Sequence, residues 1–173
     1  MNSRKIAVIA AVVLAAAVAV FLTHSMTAKA QIYMFNPVGT WYGNAKPLVL
    51  PNPLTEVVMI PTFFADGNVI ANDSHETTNP HTTAHGRWYA TGPYSMTATF
   101  IWMNLDSKAS NGLGGFFKIR LNGYAKLPNQ DSLAGTLDVW FFPPGTDPLD
   151  PANKGAIFAG TFGIEQLRRV KAE

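Results

Sequence analysis

Three of the four histidines in the chain, His75, His81 and His85, fall within eleven residues, in the run Asp73-Ser74-His75-Glu76-Thr77-Thr78-Asn79-Pro80-His81-Thr82-Thr83-Ala84-His85-Gly86-Arg87-Trp88. Imidazole titrates near neutral pH, moves protons and binds metals, and here it is accompanied by the carboxylates of Asp73 and Glu76 and the guanidinium of Arg87. Three readings fit these residue types. In the first, one neutral histidine abstracts a proton, a second group returns it, and Asp73 or Glu76 fixes the tautomer, with Tyr42, Tyr89, Tyr94 and Tyr124 as further proton donors. That chemistry needs no nucleophile and no cofactor, and it suits elimination, isomerisation or retro-aldol cleavage of a hydrophobic substrate. In the second, His75, His81, His85 and one carboxylate ligate zinc or non-haem iron. The x5 and x3 spacings match no metal signature, however, and Pro80 breaks the helix that an H-E-x-x-H site requires. In the third, Thr77, Thr78, Asn79, Thr82 and Thr83 mark a solvated hairpin tip, and the histidines are surface residues.

Two strand-like segments, Asn68 to His75 and Ala84 to Ala90, must position these side chains, joined by Glu76 to Thr83. Pairing centred on Pro80 sets His75 opposite His85 and Asp73 opposite Arg87, all on one face of the sheet. Directly opposed Cβ atoms are about 5 Å apart, close enough for two imidazoles to share a proton and for Asp73 to pair with Arg87. A slip of one residue would destroy the arrangement.

Period-two alternation recurs along the rest of the chain with no convincing helical period, which predicts an all-β fold. The expected strands are Val38 to Ala45, Leu54 to Phe64, Asn68 to His75, Ala84 to Ala90, Tyr94 to Leu105, Gly115 to Leu127, Ser132 to Phe142 and Ile157 to Val170. Ala65-Asp66-Gly67-Asn68, Thr91-Gly92-Pro93 and Pro128-Asn129-Gln130-Asp131 are hairpin-type turns, and short turns imply antiparallel neighbours. Eight such strands in an open sheet leave two exposed edges, whereas an up-and-down barrel removes both. The connection from Pro143 to Gly155 holds four prolines and reads either as a lid over a barrel mouth or as a stiff crossover. Lys118, Arg120 and Asn122 alternate with Phe117, Ile119 and Leu121, so the charges are expected to face out.

The first strand opens with Val38-Gly39-Thr40-Trp41-Tyr42-Gly43, which resembles the Gly-x-Trp signature of lipocalins and related calycin barrels, and Arg168 or Arg169 stands where that group places an arginine near the end of its last strand. The resemblance covers the two ends and the strand count. It implies an eight-stranded antiparallel calycin-like barrel whose base is closed by Trp41 under the arginine, and an interior cavity for a small apolar ligand that opens away from Trp41. Alternation supplies the lining expected of such a cavity: Phe100 and Trp102, Trp140 and Phe142, Phe158 and Phe162, with Tyr89. Such walls suit a flat hydrophobic or phenolic compound, or simply fill the interior.

The N-terminal segment reads as an address label. A basic start with Arg4 and Lys5 precedes the apolar run Ile6 to Leu22, and Ala28-Lys29-Ala30 forms an A-x-A site, the pattern of a secretory signal over residues 1–30. At about 1.5 Å per residue the run reaches roughly 25 Å, just short of a bilayer core, so an uncleaved anchor is the rival. Removing Arg4, Lys5 and Lys29 leaves ten of the 13 Lys and Arg against all 11 acids, a net charge of −1 over residues 31–173. The basic balance of the whole chain thus belongs to the leader, and with no Lys/Arg track a nucleic-acid partner is not expected. The absence of cysteine excludes disulfides, thiolate metal sites and a Cys nucleophile. Residues 31–173 suffice for one domain, exported to the periplasm or the medium, with no stable membrane insertion once the leader is cut. Nothing in the sequence specifies an oligomeric state.

No Gly-x-Ser-x-Gly elbow, Walker loop or dinucleotide fingerprint occurs, which argues against serine hydrolases and nucleotide enzymes. Two functions follow as expectations: a binding barrel for a small hydrophobic or aromatic molecule, or a cofactor-independent lyase or isomerase on the same scaffold, with His75, His81 or His85 as base.

Overall fold

The computed structural model describes residues 35–49, 55–76 and 78–172. The expected leader, residues 1–30, lies outside the described residues. Eight antiparallel strands run through the remainder: β1 (Gly39–Val49), β2 (Val57–Phe63), β3 (Asn68–Asp73), β4 (Ala84–Gly92), β5 (Ser95–Leu105), β6 (Leu113–Ala125), β7 (Ser132–Phe142) and β8 (Ile157–Arg169). Each pairs with its neighbours in sequence, and β8 returns to β1, so the sheet closes into an up-and-down barrel. All eight expected strands are present.

Alternation places the apolar set inside. Val57, Met59, Pro61 and Phe63 of β2 are buried, as are Ile119 and Leu121 of β6, while Arg120, Asn122 and Tyr124 of β6 are exposed. Strand β1 runs four residues beyond the expected end at Ala45, through Pro47. Irregularities between Asn44 and Lys46 and between Pro47 and Val49 take up the proline, which has no N–H to offer the ladder. Gly86 of β4 permits the closest approach in the wall. A Cβ at that position would collide with the Thr99 carbonyl and the Phe100 backbone of β5.

One end of the barrel is sealed. Trp41 is fully buried, its Nε1 donates to the Pro37 carbonyl at 2.7 Å, and Phe35 meets it edge-on at 6.0 Å. The Arg169 guanidinium lies 4.4 Å from the centre of the indole, a cation–π contact worth about 1 kcal/mol. Of the two arginines expected to serve, Arg169 is the one that does. It also donates to the carbonyls of Val38 and of Asn36 and, from Nε, to Asp131 at 2.9 Å. One side chain therefore ties the entry segment, the last strand and the β6–β7 turn together.

Hydrogen bonds from Lys171, at 2.6 Å, and from Arg169 hold the Asp131 carboxyl below its ordinary value of 3.8. A depressed carboxyl contributes stability that is complete above 3.8 and disappears as the pH falls through its folded value. Asp131→Asn is therefore expected to melt below the wild type at neutral pH. The gap should close in thermal melts taken well below pH 3.8, and a gap that persisted there would refute the ion-pair origin.

Candidate functional site

The interior away from Trp41 is not filled. A cavity lies there in which the centre of a water-sized sphere can range over about 90 Å³, room for several waters or a small ring compound. Its walls are side chains of six strands, including Met59 of β2, Phe100 and Trp102 of β5, Phe117 and Ile119 of β6, Val139 of β7 and Phe162 of β8. Its polar lining comes from Asn72, Asp73, His75, Asn79 and His81, all contributed by the end of β3 and the β3–β4 connection. The cavity is thus apolar in depth and polar at its mouth.

Local backbone bonding explains why His81 turns inward. The connection after β3 first curls on itself, with the amides of Thr78 and Asn79 donating to the His75 carbonyl. It is then stitched to the end of β5: Leu105 N to Pro80 O at 2.8 Å, Thr82 N to Met103 O at 3.0 Å, and a single antiparallel bridge between His81 and Asn104. His81 is buried, and its ring stacks on Trp102 with centroids 4.8 Å apart. Nδ1 lies 2.9 Å from the Thr82 carbonyl. A carbonyl only accepts, so Nδ1 carries the proton, and Nε2 is where a proton can be gained or lost. Nε2 sits 3.4 Å from Asp73 Oδ1, near enough for Coulomb attraction to an imidazolium, but it makes no hydrogen bond there. Asp73 Oδ1 instead accepts from the His75 amide at 2.7 Å.

His75 is half-buried beside the same cavity, its Nε2 3.1 Å from Thr55 Oγ1. Glu76 is also half-buried, with Oε1 inaccessible and unpaired. Among the described residues, the buried polar atoms without a partner are Glu76 Oε1, His81 Nε2, Trp102 Nε1 and Asn104 Oδ1. All four belong to the β3–β4 connection and the end of β5. A buried unpaired polar group costs about 1–3 kcal/mol, so this rim is locally unfavourable in a protein whose other end is well satisfied.

His85 and Arg87 are elsewhere. The register is Ile70↔His85 and Asn68↔Arg87, not the expected pairing of His75 with His85 and Asp73 with Arg87. The offset is an odd number of residues, so it reverses the face, and both side chains are exposed on the outer wall. With Asp73 inside, the expected register would have put the Arg87 guanidinium among core side chains. The observed one instead buries Val69, Ala71 and Ala84. Arg87 bonds the Asp66 carbonyl at 3.3 Å.

The aromatic expectations divide in the same way. Phe100, Trp102 and Phe162 line the cavity. Trp140 and Phe142 lie on the face away from the cavity, because β7 aligns Leu137 and Val139 with the inward Leu121 and Ile119 of β6 and leaves Trp140 beside Lys118; Phe142 is nonetheless wholly buried there, with Lys118 Nζ 5.7 Å from its ring centre. Phe158 is also outside, at 5.8 Å from Trp140: the irregularity between Val139 and Trp140, at Ala159–Gly160 of β8, reverses its face. Tyr89 is exposed on β4, as are Tyr42, Tyr94 and Tyr124 on the outer surface. Phe117, which alternation places inward, is a further wall residue beyond the expected lining. The signal was its register opposite Trp102, which becomes visible only when the strands are paired.

The proline-rich connection, read as a lid or a crossover, is no lid. It lies along the outer wall over Thr99, Lys118 and Trp140, held by Lys118 Nζ donating to Asp150 O and Asn153 Oδ1. Burial under this loop, with the neighbouring Arg120 charge, pushes the Lys118 amine below its ordinary value. Among the described residues, no three His, Cys, Asp or Glu side chains converge to hold a metal ion. Comparison with protein-family models, with curated proteins and with solved structures found no match.

The inside and outside aromatics should separate by stability. Phe100→Ala is expected to cost about 3–5 kcal/mol, and Tyr89→Ala less than about 0.5 kcal/mol, as measured by urea unfolding. Equal costs would contradict the assignment of faces.

Proposed function

We propose that this chain is an exported, calycin-like binding barrel that takes a small hydrophobic, aromatic ligand into the half of its interior away from Trp41. The observation that carries the reading is the cavity: a closed barrel sealed at one end, with an aromatic-lined hollow at the other. Apolar walls with a few convergent polar groups are the usual make-up of a small-molecule site. The indole–guanidinium stack at the base supports grouping with calycin-like barrels, and the basic, apolar and A-x-A pattern of residues 1–30 supports export to the periplasm or the medium. Titration of the purified protein with toluene and with p-cresol, followed by ligand-observed NMR, tests the reading. Sub-millimolar binding that is abolished by Val139→Trp, a change that fills the hollow, is expected. Absence of saturable binding by the wild type sinks the proposal.

A second reading is favoured by one observation, the fixed tautomer of His81 beside Asp73 at an apolar cavity. A histidine held through Nδ1, with Nε2 free to take a proton and a carboxylate to stabilise the charge, is the equipment of a cofactor-independent lyase or isomerase. Phenylacetone in deuterated buffer reports it, since abstraction of an α-proton exchanges that proton for deuterium. The protein should accelerate exchange, and His81→Ala should slow it by about 100-fold while His85→Ala does not. Exchange at the buffer rate removes this reading and leaves the carrier intact.

A further inference from the structure

Resting on the reading of the cavity as a ligand site, we infer that the compound it holds carries a hydroxyl at its mouth end, and is a phenol rather than a plain hydrocarbon, an amine or a carboxylate. The argument begins with the stacked pair His81 and Trp102, both of which line the cavity. Each holds one buried nitrogen with no hydrogen-bond partner among the described residues. The two nitrogens ask for opposite things. The Trp102 indole can only donate. His81, with its Nδ1 proton committed to the Thr82 carbonyl, presents in its neutral form a lone pair at Nε2 that can only accept. A hydroxyl accepts from the first and donates to the second. An ammonium only donates and leaves the indole unmet, while a carboxylate only accepts and leaves the imidazole unmet.

Charge points the same way. Among the described residues no Lys or Arg lines the cavity, whereas the carboxylate of Asp73 does and that of Glu76 stands on the same connection with an inaccessible, unpaired oxygen. An anion brought to this mouth meets like charge and no fixed cation. Behind the polar rim, Phe117 packs against Trp102 at 5.6 Å, and Phe100 and Phe162 continue the wall, so the body behind the hydroxyl is received by rings. The Trp102 N–H and His81 Nε2 thereby become selectivity groups, and a ligand lacking the hydroxyl leaves both unpaired.

Calorimetric titration of the purified protein with p-cresol, toluene, benzylamine and benzoate tests the assignment. We expect p-cresol to bind about 10-fold or more tighter than toluene, the worth of one or two neutral hydrogen bonds, and benzoate to bind most weakly. Trp102→Phe and His81→Phe should each bring the p-cresol-to-toluene ratio towards unity. The ratio is compared within each variant, so a general loss of affinity that strikes both ligands alike does not imitate the effect. Equal affinity for p-cresol and toluene, tighter binding of benzylamine or benzoate, or variants that keep the wild-type ratio would overturn the hydroxyl assignment and leave a hydrophobic site standing. Failure of all four compounds to bind would overturn the site itself.

Discussion

The guanidinium of Arg169 over the indole of Trp41 is the contact on which the rest of the barrel depends. It joins the first strand to the last at one pole, and its hydrogen bonds reach the segment before β1 and the turn between β6 and β7. A barrel closed by backbone pairing alone would still be open at both ends. The stacked pair, with Phe35 and Pro37 against it, closes one end, so the hollow has a floor at that pole.

The two poles carry different burdens. Near Trp41 the interior is solid, with Phe63, Met96, Leu133 and Leu167 almost wholly excluded from solvent. At the mouth, polar side chains are drawn inward and several of their atoms find no partner. A chain folding for stability alone would place apolar groups at those positions. Among the described residues the local cost is concentrated at this one rim, and it is there that the proposed ligand site lies.

Much of this was legible in residue order because alternation of period two is a local signal. Eight strands and their antiparallel succession follow from patterns a few residues long, and the sealing role of Trp41 with a late arginine is what the resemblance to calycin barrels implies. What alternation leaves undetermined is which face is which, since that depends on the strand alongside. Trp140 has the credentials of an interior residue until Lys118 is placed next to it. Phe158 shares its parity with Phe162, and only an irregularity at Ala159–Gly160 separates them. The histidine segment failed for a related reason: the connection from Ser74 to Thr83 is not a symmetric turn but a curl followed by a stitch onto β5. No local rule announces that His81 will bridge Asn104, and the bridge is what carries His81 inside while the core requirements of Ala71 and Ala84 send His85 out.

Every pairing in the barrel but one joins strands consecutive in the chain, and the exception, β1 with β8, spans more than a hundred residues. Contacts that far apart carry the largest loop-closure cost and form late. Until β8 arrives, the seven earlier strands are a curved meander with its greasy side facing water and two unpaired borders. The seam is therefore a commitment step. An enclosed interior comes into being only when the final stave is fitted, and anything that loosens that stave exposes the apolar lining at the same moment.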